Sequence, residues 1–125
     1  MKLVGSAPSP FVRKVLIVAI EIGVFDKIDR IFPKTTPIAP NDQLIRVNPL
    51  AKMPALITQS GATLYDSRVI CEYLDSLHQG NRMFPEDLGD RWKALRLQAL
   101  GDGILDAAVS IRYETILRPQ DKYWP

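Results

Sequence analysis

A single proline, Pro54, limits the folds open to this chain more than any other residue. It stands directly before the short apolar run 55–57, which has the composition of a strand. Because proline has no amide N–H and fixes φ at about −65°, it fits only the first residue of a strand or an edge strand. Two interpretations remain open. Pro54 either begins an edge strand in the trans form, or follows a cis bond that leaves the N–H and C=O of Met53 free for an extended ligand.

The residues before Pro54 predict a strand, a helix and a second strand. Residues 2–5 and 24–31 have strand composition, and residues 11–22 between them are apolar on nearly every side. Such a helix is typically buried on more than one face. The order implies a right-handed crossover and two parallel strands.

The start of this first helix is marked by Ser9 and Pro10. Serine is a preferred N-cap, because its oxygen accepts a free N–H of the first turn. Proline at the next position loses nothing, since its N–H would be unpaired there. Gly23 is predicted to end the helix.

The residues after Pro54 predict a hairpin and a helix. Residues 55–58 and 63–65 are predicted to form the two strands of a β-hairpin, joined by a tight turn that contains Gly61. Asp66 and Ser67 are good N-cap residues for a helix over 68–79, which one apolar stripe favours. Between the two halves, residues 32–41 contain three prolines and are predicted as a loop, followed by one helical turn over 42–47.

A second helical tract follows from Asp90 to about Tyr113. Its apolar residues recur every three or four positions and form one stripe, which consists of Leu97, Leu100, Ile104, Ala107, Ala108 and Ile111. A long helix with one apolar face needs a partner. We therefore expect either that the helical domain is incomplete or that another chain covers this face.

Composition argues against several classes of function. The chain has 125 residues, 46% of them apolar, and a net charge of only +2 from scattered basic residues. Nucleic acid and membrane surfaces are therefore not expected as partners. The only cysteine, Cys71, and the only histidine, His78, argue against a disulfide and a protein zinc site, and Cys71 is predicted to be a small buried side chain. The start of the chain lacks a signal-peptide pattern, so a cytoplasmic protein is expected.

Three motifs in this order resemble the cytosolic glutathione S-transferase family, and its bacterial, serine-type members most closely. They are Ser9-Pro10-Phe11-Val12-Arg13-Lys14, Asn48-Pro49-Leu50-Ala51-Lys52-Met53-Pro54 and Asp66-Ser67. The resemblance implies an α/β fold, in which a thioredoxin-like N-terminal domain (βαβ-ββα, with a cis-Pro54) is followed by the first helix or helices of an all-α C-terminal domain. It implies a glutathione-binding domain over 1–80, a linker over 81–88 and a partial helical domain over 89–125.

The resemblance also implies that Ser9 contacts the sulfur of glutathione. A hydroxyl that donates to the sulfur at a helix N-terminus would lower the pKa of the thiol, and the thiolate is the nucleophile. The alternative is that Ser9 is only an N-cap, because the two roles compete for one hydroxyl. Ser6 is the fallback for the sulfur contact.

The same resemblance implies where the rest of the tripeptide lies. The Met53 backbone, beside Pro54, would pair with the cysteinyl part by strand addition. Ser67 and the free N–H groups of its helix suit the γ-glutamyl carboxylate, and Asp66 can accept from the ammonium group. A simple helix cap is the alternative for both and is compatible with this role. Lys52 would meet the glycyl carboxylate, although a lone exposed lysine is more often only solvated.

Two further groups of polar residues receive no main role. Asp102 and Asp106 lie one turn apart on the long helix and are predicted as a solvated or interface-facing pair, with a contact to the partner subunit's glutathione as the minor alternative. His78 is predicted to lie near its helix C-terminus, favourably placed against the dipole, and no function is assigned to it.

The leading hypothesis is a glutathione S-transferase that conjugates the thiolate to a hydrophobic electrophile and acts in detoxification. We expect a homodimer that uses glutathione as co-substrate and no metal. One alternative is a non-catalytic protein-interaction module of the same fold. The other is a glutathione-dependent thiol–disulfide oxidoreductase, against which the absence of a Cys-x-x-Cys motif counts.

Overall fold

A four-stranded mixed sheet forms the centre of the first part of the chain. In the computed structural model, which describes residues 1–123, its strands are β1 (Lys2–Val4), β2 (Asp29–Ile31), β3 (Ala55–Ile57) and β4 (Thr63–Leu64). They lie in the order β2-β1-β3-β4, with β1 parallel to β2 and antiparallel to β3. The predicted crossover and the predicted β3–β4 hairpin are both confirmed. Strand β2 is shorter than predicted, because residues Phe25–Lys27 form a 3₁₀ turn instead.

Within residues 1–123, four α-helices accompany the sheet: α1 (Pro10–Glu21), α2 (Asp42–Val47), α3 (Ser67–Asp75) and α4 (Leu88–Leu117). The predicted N-cap of α1 is confirmed, since the Ser9 Oγ accepts the amide of Val12 at 3.4 Å. The Asp66 carboxylate caps α3 by accepting the amide of Arg68 at 2.9 Å. This order of strands and helices is the thioredoxin-like arrangement, followed by the beginning of a helical part.

The hydrophobic core lies between the sheet and the pair α1 and α3. Its buried members are Leu3, Val12, Val15, Val18, Ala19, Val24, Ile28, Leu56, Ile70, Cys71 and Leu74. Cys71 is 1% exposed, which confirms the prediction that it is a small buried side chain. The prediction that α1 is buried on more than one face is wrong for the residues described, because Ile17 and Ile20 lie more than half exposed on its outer side.

Helix α4 turns a charged residue, Asp102, toward the rest of the molecule. The apolar stripe noted in the sequence stays exposed, with Leu97, Leu100, Ile104 and Ile111 all more than 60% accessible. The one fully buried residue that α4 contributes within the described part of the chain is Asp102. Across residues 1–123, no helix combines the length and the apolar character that crossing a membrane requires.

The connection between α3 and α4 is organised by one buried carboxylate, Asp75. It is 3% exposed and accepts the amides of Met83 at 3.0 Å and Phe84 at 3.1 Å, while the Nε2 of His78 lies 3.1 Å from its Oδ1. Helix α3 ends at Asp75, so the prediction of a helix to Gln79 is wrong; Ser76 is the C-cap, and its Oγ donates to the Tyr73 carbonyl. The contact between the His78 ring and Asp75 is one that the sequence analysis did not predict.

The same contacts set the acidity of Asp75. Burial alone would raise the pKa of its carboxyl, but hydrogen bonds from Met83, His78 and Phe84 together outweigh burial and hold the pKa below its usual value. Because the folded pKa is depressed, the carboxylate stabilises the fold above the unfolded pKa. That stabilisation is lost as the pH falls through the folded pKa.

We expect Asp75→Asn to lower the free energy of unfolding at pH 7 by about 2 kcal/mol, since two amides then share a weaker, neutral acceptor. The difference from the wild type should narrow below about pH 4. Urea unfolding between pH 2.5 and 7 measures both effects. Asp26→Asn, on the exposed 3₁₀ turn, serves as the control. A difference that stays constant down to pH 2.5 would contradict this account.

Candidate functional site

A cavity of about 330 Å³ lies between the first turn of α1, the loops on either side of α2, and one face of α4. The loop side is lined by Ser6, Pro8, Ser9, Pro10, Phe11, Thr35, Thr36, Pro37, Ala51, Lys52 and Met53. The α4 side is lined by Asp106, Val109, Ser110, Arg112 and Tyr113. The structure thus brings Ser9, Lys52 and Met53, three of the residues selected from the sequence, to one cavity of a size suited to a small ligand.

Ser9 lies at the wall of this cavity and at the start of α1. Its Oγ uses one lone pair to accept the Val12 amide. A hydroxyl has two lone pairs and one proton, so the cap leaves the O–H free to donate to another group. The expectation that capping and a contact in the cavity compete for one hydroxyl is therefore wrong. The positive end of the α1 dipole lies at the same point.

The Met53–Pro54 bond is cis, as the sequence suggested. Neither the N–H nor the C=O of Met53 forms a hydrogen bond with another residue of the part of the chain that the structure describes. Both groups are therefore available to an extended ligand at the cavity wall. Pro54 itself is fully buried and does not line the cavity, so any influence on a ligand is indirect.

A buried asparagine, to which the sequence analysis gave no role, holds the loop before Met53. The Asn48 side chain is 1% exposed, donates from Nδ2 to the Lys52 carbonyl at 2.7 Å and accepts the Leu50 amide at 3.0 Å. Within the loop, Ala51 has a φ of +53°, which a residue other than glycine adopts at a cost. The Asn-Pro pair at 48–49 is a turn signal and could have identified this residue.

Asp66 and Ser67 do not line the cavity but stand at the N-terminus of α3. Asp66 is engaged as the cap, whereas the hydroxyl of Ser67 forms no hydrogen bond with residues 1–123 and, although the residue is 2% exposed, reaches the surface. The amide N–H groups of Ser67 and Val69 likewise donate to no described residue. The N-terminus of α3 therefore offers several donors to an anion.

Helix α4 is fixed above the cavity by the Asp102 carboxylate, which is 2% exposed. It binds the Lys14 Nζ of α1 at 2.6 Å and the Arg68 Nε of α3 at 2.8 Å. The prediction of a solvated or interface-facing Asp102 is therefore wrong. The hydrogen bond that Arg68 donates to Asp102 also raises the pKa of Arg68, against the lowering effect of burial. One carboxylate thus joins three helices.

The α4 side of the cavity escaped the sequence analysis almost entirely. Asp106, Val109, Ser110 and Tyr113 occupy positions i, i+3, i+4 and i+7, which is one face of a helix. The sequence analysis followed the more apolar stripe on another side of the same helix. Within the described residues, Asp106 is exposed and faces the cavity, so its predicted solvation holds.

Cys71 lies in the core and does not line the cavity. Burial raises the pKa of its thiol to about 12, and the charges of Asp102 and Asp66 add to this effect while Lys14 opposes it. Its thiol is therefore protonated near pH 7 and a poor nucleophile. No three His, Cys, Asp or Glu side chains of residues 1–123 come together as metal ligands.

Comparisons with known proteins agree on one family. Residues 8–77, more than half of the chain, match the family model for the glutathione S-transferase N-terminal domain. The chain is 39% identical over 114 residues to the uncharacterized GST-like protein YibF of Escherichia coli K12. That alignment covers 90% of this chain and 54% of YibF.

Solved structures give the same picture. A glutathione transferase family member from Pseudomonas fluorescens Pf-5 with bound glutathione has a TM-score of 0.95 and 45% identity, covering 98% of this chain and 60% of that chain. A structure of a family member from the same strain with bound S-(propanoic acid)-glutathione has a TM-score of 0.87 and 43% identity, covering 98% and 59%. The chain therefore spans little more than half the length of these relatives.

We expect Asp102→Asn to lower the free energy of unfolding by about 2 kcal/mol, because it leaves two cations around a buried neutral amide. The estimate lies below the range for a fully buried pair, since the Arg68 side chain is 48% exposed. Asp90→Asn is the matched control, because its pair with Lys93 is exposed and should be worth less than about 0.5 kcal/mol. Urea unfolding measures both. Equal small losses would show that Asp102 does not hold α4.

Proposed function

Because the chain belongs to the glutathione S-transferase family, we propose that it binds glutathione and transfers the thiolate to an electrophilic small molecule. Ser9 is the residue that contacts the sulfur, as in the serine-type members. The proposal rests on one observation. The Ser9 hydroxyl, whose O–H is free to donate, and the Met53 backbone, whose N–H and C=O form no hydrogen bond with residues 1–123, line the same cavity. Similarity at 45% identity to a family member with bound glutathione supports it.

We place the tripeptide across two groups of hydrogen-bonding atoms, the Met53 backbone and the N-terminus of α3. Its cysteinyl part pairs with the N–H and C=O of Met53 in the manner of an added strand, beside the buried Pro54. Its γ-glutamyl carboxylate binds the free N–H groups at the start of α3 and the hydroxyl of Ser67, and Asp66 accepts from its ammonium group. Lys52 meets the glycyl carboxylate as a point charge.

Ser9 activates the thiol in this arrangement. Its O–H donates to the sulfur while its lone pair still caps α1, and the helix dipole favours the same negative charge. Both effects lower the pKa of the glutathione thiol and raise the thiolate fraction near pH 7. The thiolate then attacks an electron-poor carbon, a C–S bond forms, and the displaced electron pair leaves with a leaving group or moves along a double bond.

The electrophile occupies the space between α1 and α4. Phe11, Val109 and Tyr113 supply apolar and aromatic lining there. The relative that carries S-(propanoic acid)-glutathione supports room for a substituent on the sulfur. We assign residues 1–80 to the glutathione-binding domain, 81–88 to the linker and 89–125 to the first part of the helical domain. Residues 124 and 125 of that unit lie outside the described range.

A homodimer in the cytoplasm, with a role in detoxification, completes the proposal. The exposed stripe of α4, from Leu97 to Ile111, suits a protein partner. The same stripe favours the second candidate, an interaction module without turnover. Glutathione-dependent thiol–disulfide exchange is disfavoured, because the Cys71 thiol is buried and has a raised pKa.

Calorimetric titration of glutathione into the 125-residue chain tests the binding site. We expect binding that Asp66→Ala weakens by about tenfold, because the ammonium group loses a charged acceptor. Asp87→Ala is the matched control, since it removes the aspartate cap of α4 without touching this site. Equal losses in the two variants would mean that Asp66 acts only as a helix cap.

Ser9→Ala tests the catalytic assignment separately. We expect turnover of 1-chloro-2,4-dinitrobenzene with glutathione to fall by about 10- to 100-fold, because the developing thiolate loses its donor. Glutathione affinity should change by less than about twofold, since the tripeptide keeps its other contacts. Ser60→Ala, in the β3–β4 turn, is the control. A parallel loss of turnover and affinity would assign Ser9 to binding, and wild-type binding without turnover would favour the interaction module.

A further inference from the structure

The charged residues that line the cavity differ in whether they have a partner of opposite charge. Lys52, Asp106 and Arg112 are its charged lining residues. Lys52 lies on the loop before Pro54 and is taken up by the glycyl carboxylate in the proposed function. Asp106 is a carboxylate, so Lys52 and Arg112 are the lining residues that can attract an anion.

Arg112 is the lining cation to which the proposed function assigns no partner of opposite charge. Within the part of the chain that the structure describes, it forms no ion pair with a carboxylate, and the nearby Glu114 pairs with Arg118 instead. It lines the cavity and is nevertheless exposed, so it stands at the cavity mouth. A cation at this position keeps its hydration, so holding it there without a partner costs little.

The position of Arg112 on α4 places it next to the apolar lining. It follows Val109 by one helical turn and directly precedes Tyr113, and both line the same cavity. A ligand that packs against these two side chains therefore has its outer end beside Arg112. The guanidinium group offers parallel N–H donors that match the two oxygens of a carboxylate.

We infer that the electrophile accepted at this site carries a carboxylate, and that Arg112 is the residue that selects it. The inference rests on the proposed function, because it takes the sulfur of glutathione to lie at Ser9. For an aryl chloride that bears a carboxylate, the thiolate attacks the carbon that carries chlorine. The C–S bond forms, the C–Cl bond breaks, chloride leaves with the electron pair, and the carboxylate is unchanged.

The test compares a charged conjugate with its neutral isostere. Calorimetry gives the affinities of glutathione, S-(2-carboxyethyl)glutathione and the matched amide S-(2-carbamoylethyl)glutathione. We expect the wild-type chain to bind the carboxyethyl conjugate about fivefold more tightly than the carbamoylethyl conjugate. This is the size of effect expected for one solvent-exposed ion pair. Arg112→Gln should reduce this ratio to about one, and Arg112→Lys should keep part of it. Arg96→Gln, an exposed arginine of α4 that does not line the cavity, should leave the ratio unchanged.

Each result bears on a separate claim. Equal wild-type affinities for the two conjugates, or a ratio that survives Arg112→Gln, would overturn the inference. So would an equal loss of affinity for plain glutathione in Arg112→Gln, because Arg112 would then hold the tripeptide. Failure of plain glutathione to bind the wild type would overturn the proposed function and this inference with it. Binding of glutathione without turnover would overturn the transferase assignment and, with it, the claim that the electrophile carries a carboxylate.

A kinetic comparison gives an independent readout. The ratio of kcat/KM for 4-chloro-3-nitrobenzoate to that for 4-chloro-3-nitrobenzamide cancels effects on the thiolate, which are common to both substrates. We expect this ratio to fall about fivefold in Arg112→Gln and to stay at the wild-type value in Arg96→Gln. An unchanged ratio in Arg112→Gln would count against the assignment.

Discussion

The contact of Asp102 with Lys14 and Arg68 holds the middle of α4 against α1 and α3, and the cavity wall that α4 supplies depends on this contact. A second ion pair, between Arg91 of α4 and Glu72 of α3, joins the start of the helix to α3. Within residues 1–123, Asp102 is the fully buried residue of α4, and no α4 side chain belongs to the apolar core. A carboxylate between two cations is directional, and it fixes the rotation of α4 about its own axis. That rotation brings Asp106, one turn further along, to the cavity beside Ser9.

Much of the fold could be predicted because its signals are local. Ser9-Pro10 marked the start of α1, and the turn at Gly61 marked the hairpin. Where prediction failed, a distant group had changed the outcome. Helix α3 ends at Asp75, earlier than predicted, and the Asp75 carboxylate accepts the amides of Met83 and Phe84 from the following loop, contacts that the periodicity of the helix does not contain.

The candidate site also has one part that local sequence signals predicted and one part that depends on distant contacts. Ser9, Lys52 and Met53 came from short motifs, and the structure places them at one cavity. The α4 wall could not be found from the sequence, since the partners of Asp102 lie 88 and 34 positions away in the chain. The apolar periodicity of α4 marked the stripe that stays exposed and not the cavity wall, because the charged Asp102 lies on the face of the helix that turns inward.

The two walls of the cavity are held by different forces, and this separates two kinds of evolutionary change. The loop wall rests on the apolar core and on Asn48, so substitutions there disturb folding and the shape of the cavity together. On the α4 wall, Val109, Arg112 and Tyr113 are not members of that core. Substitutions at these three positions therefore change the chemistry of the cavity at little structural cost. Under the proposed function, a lineage with this architecture would diversify its electrophiles while it keeps the same means of activating the thiol.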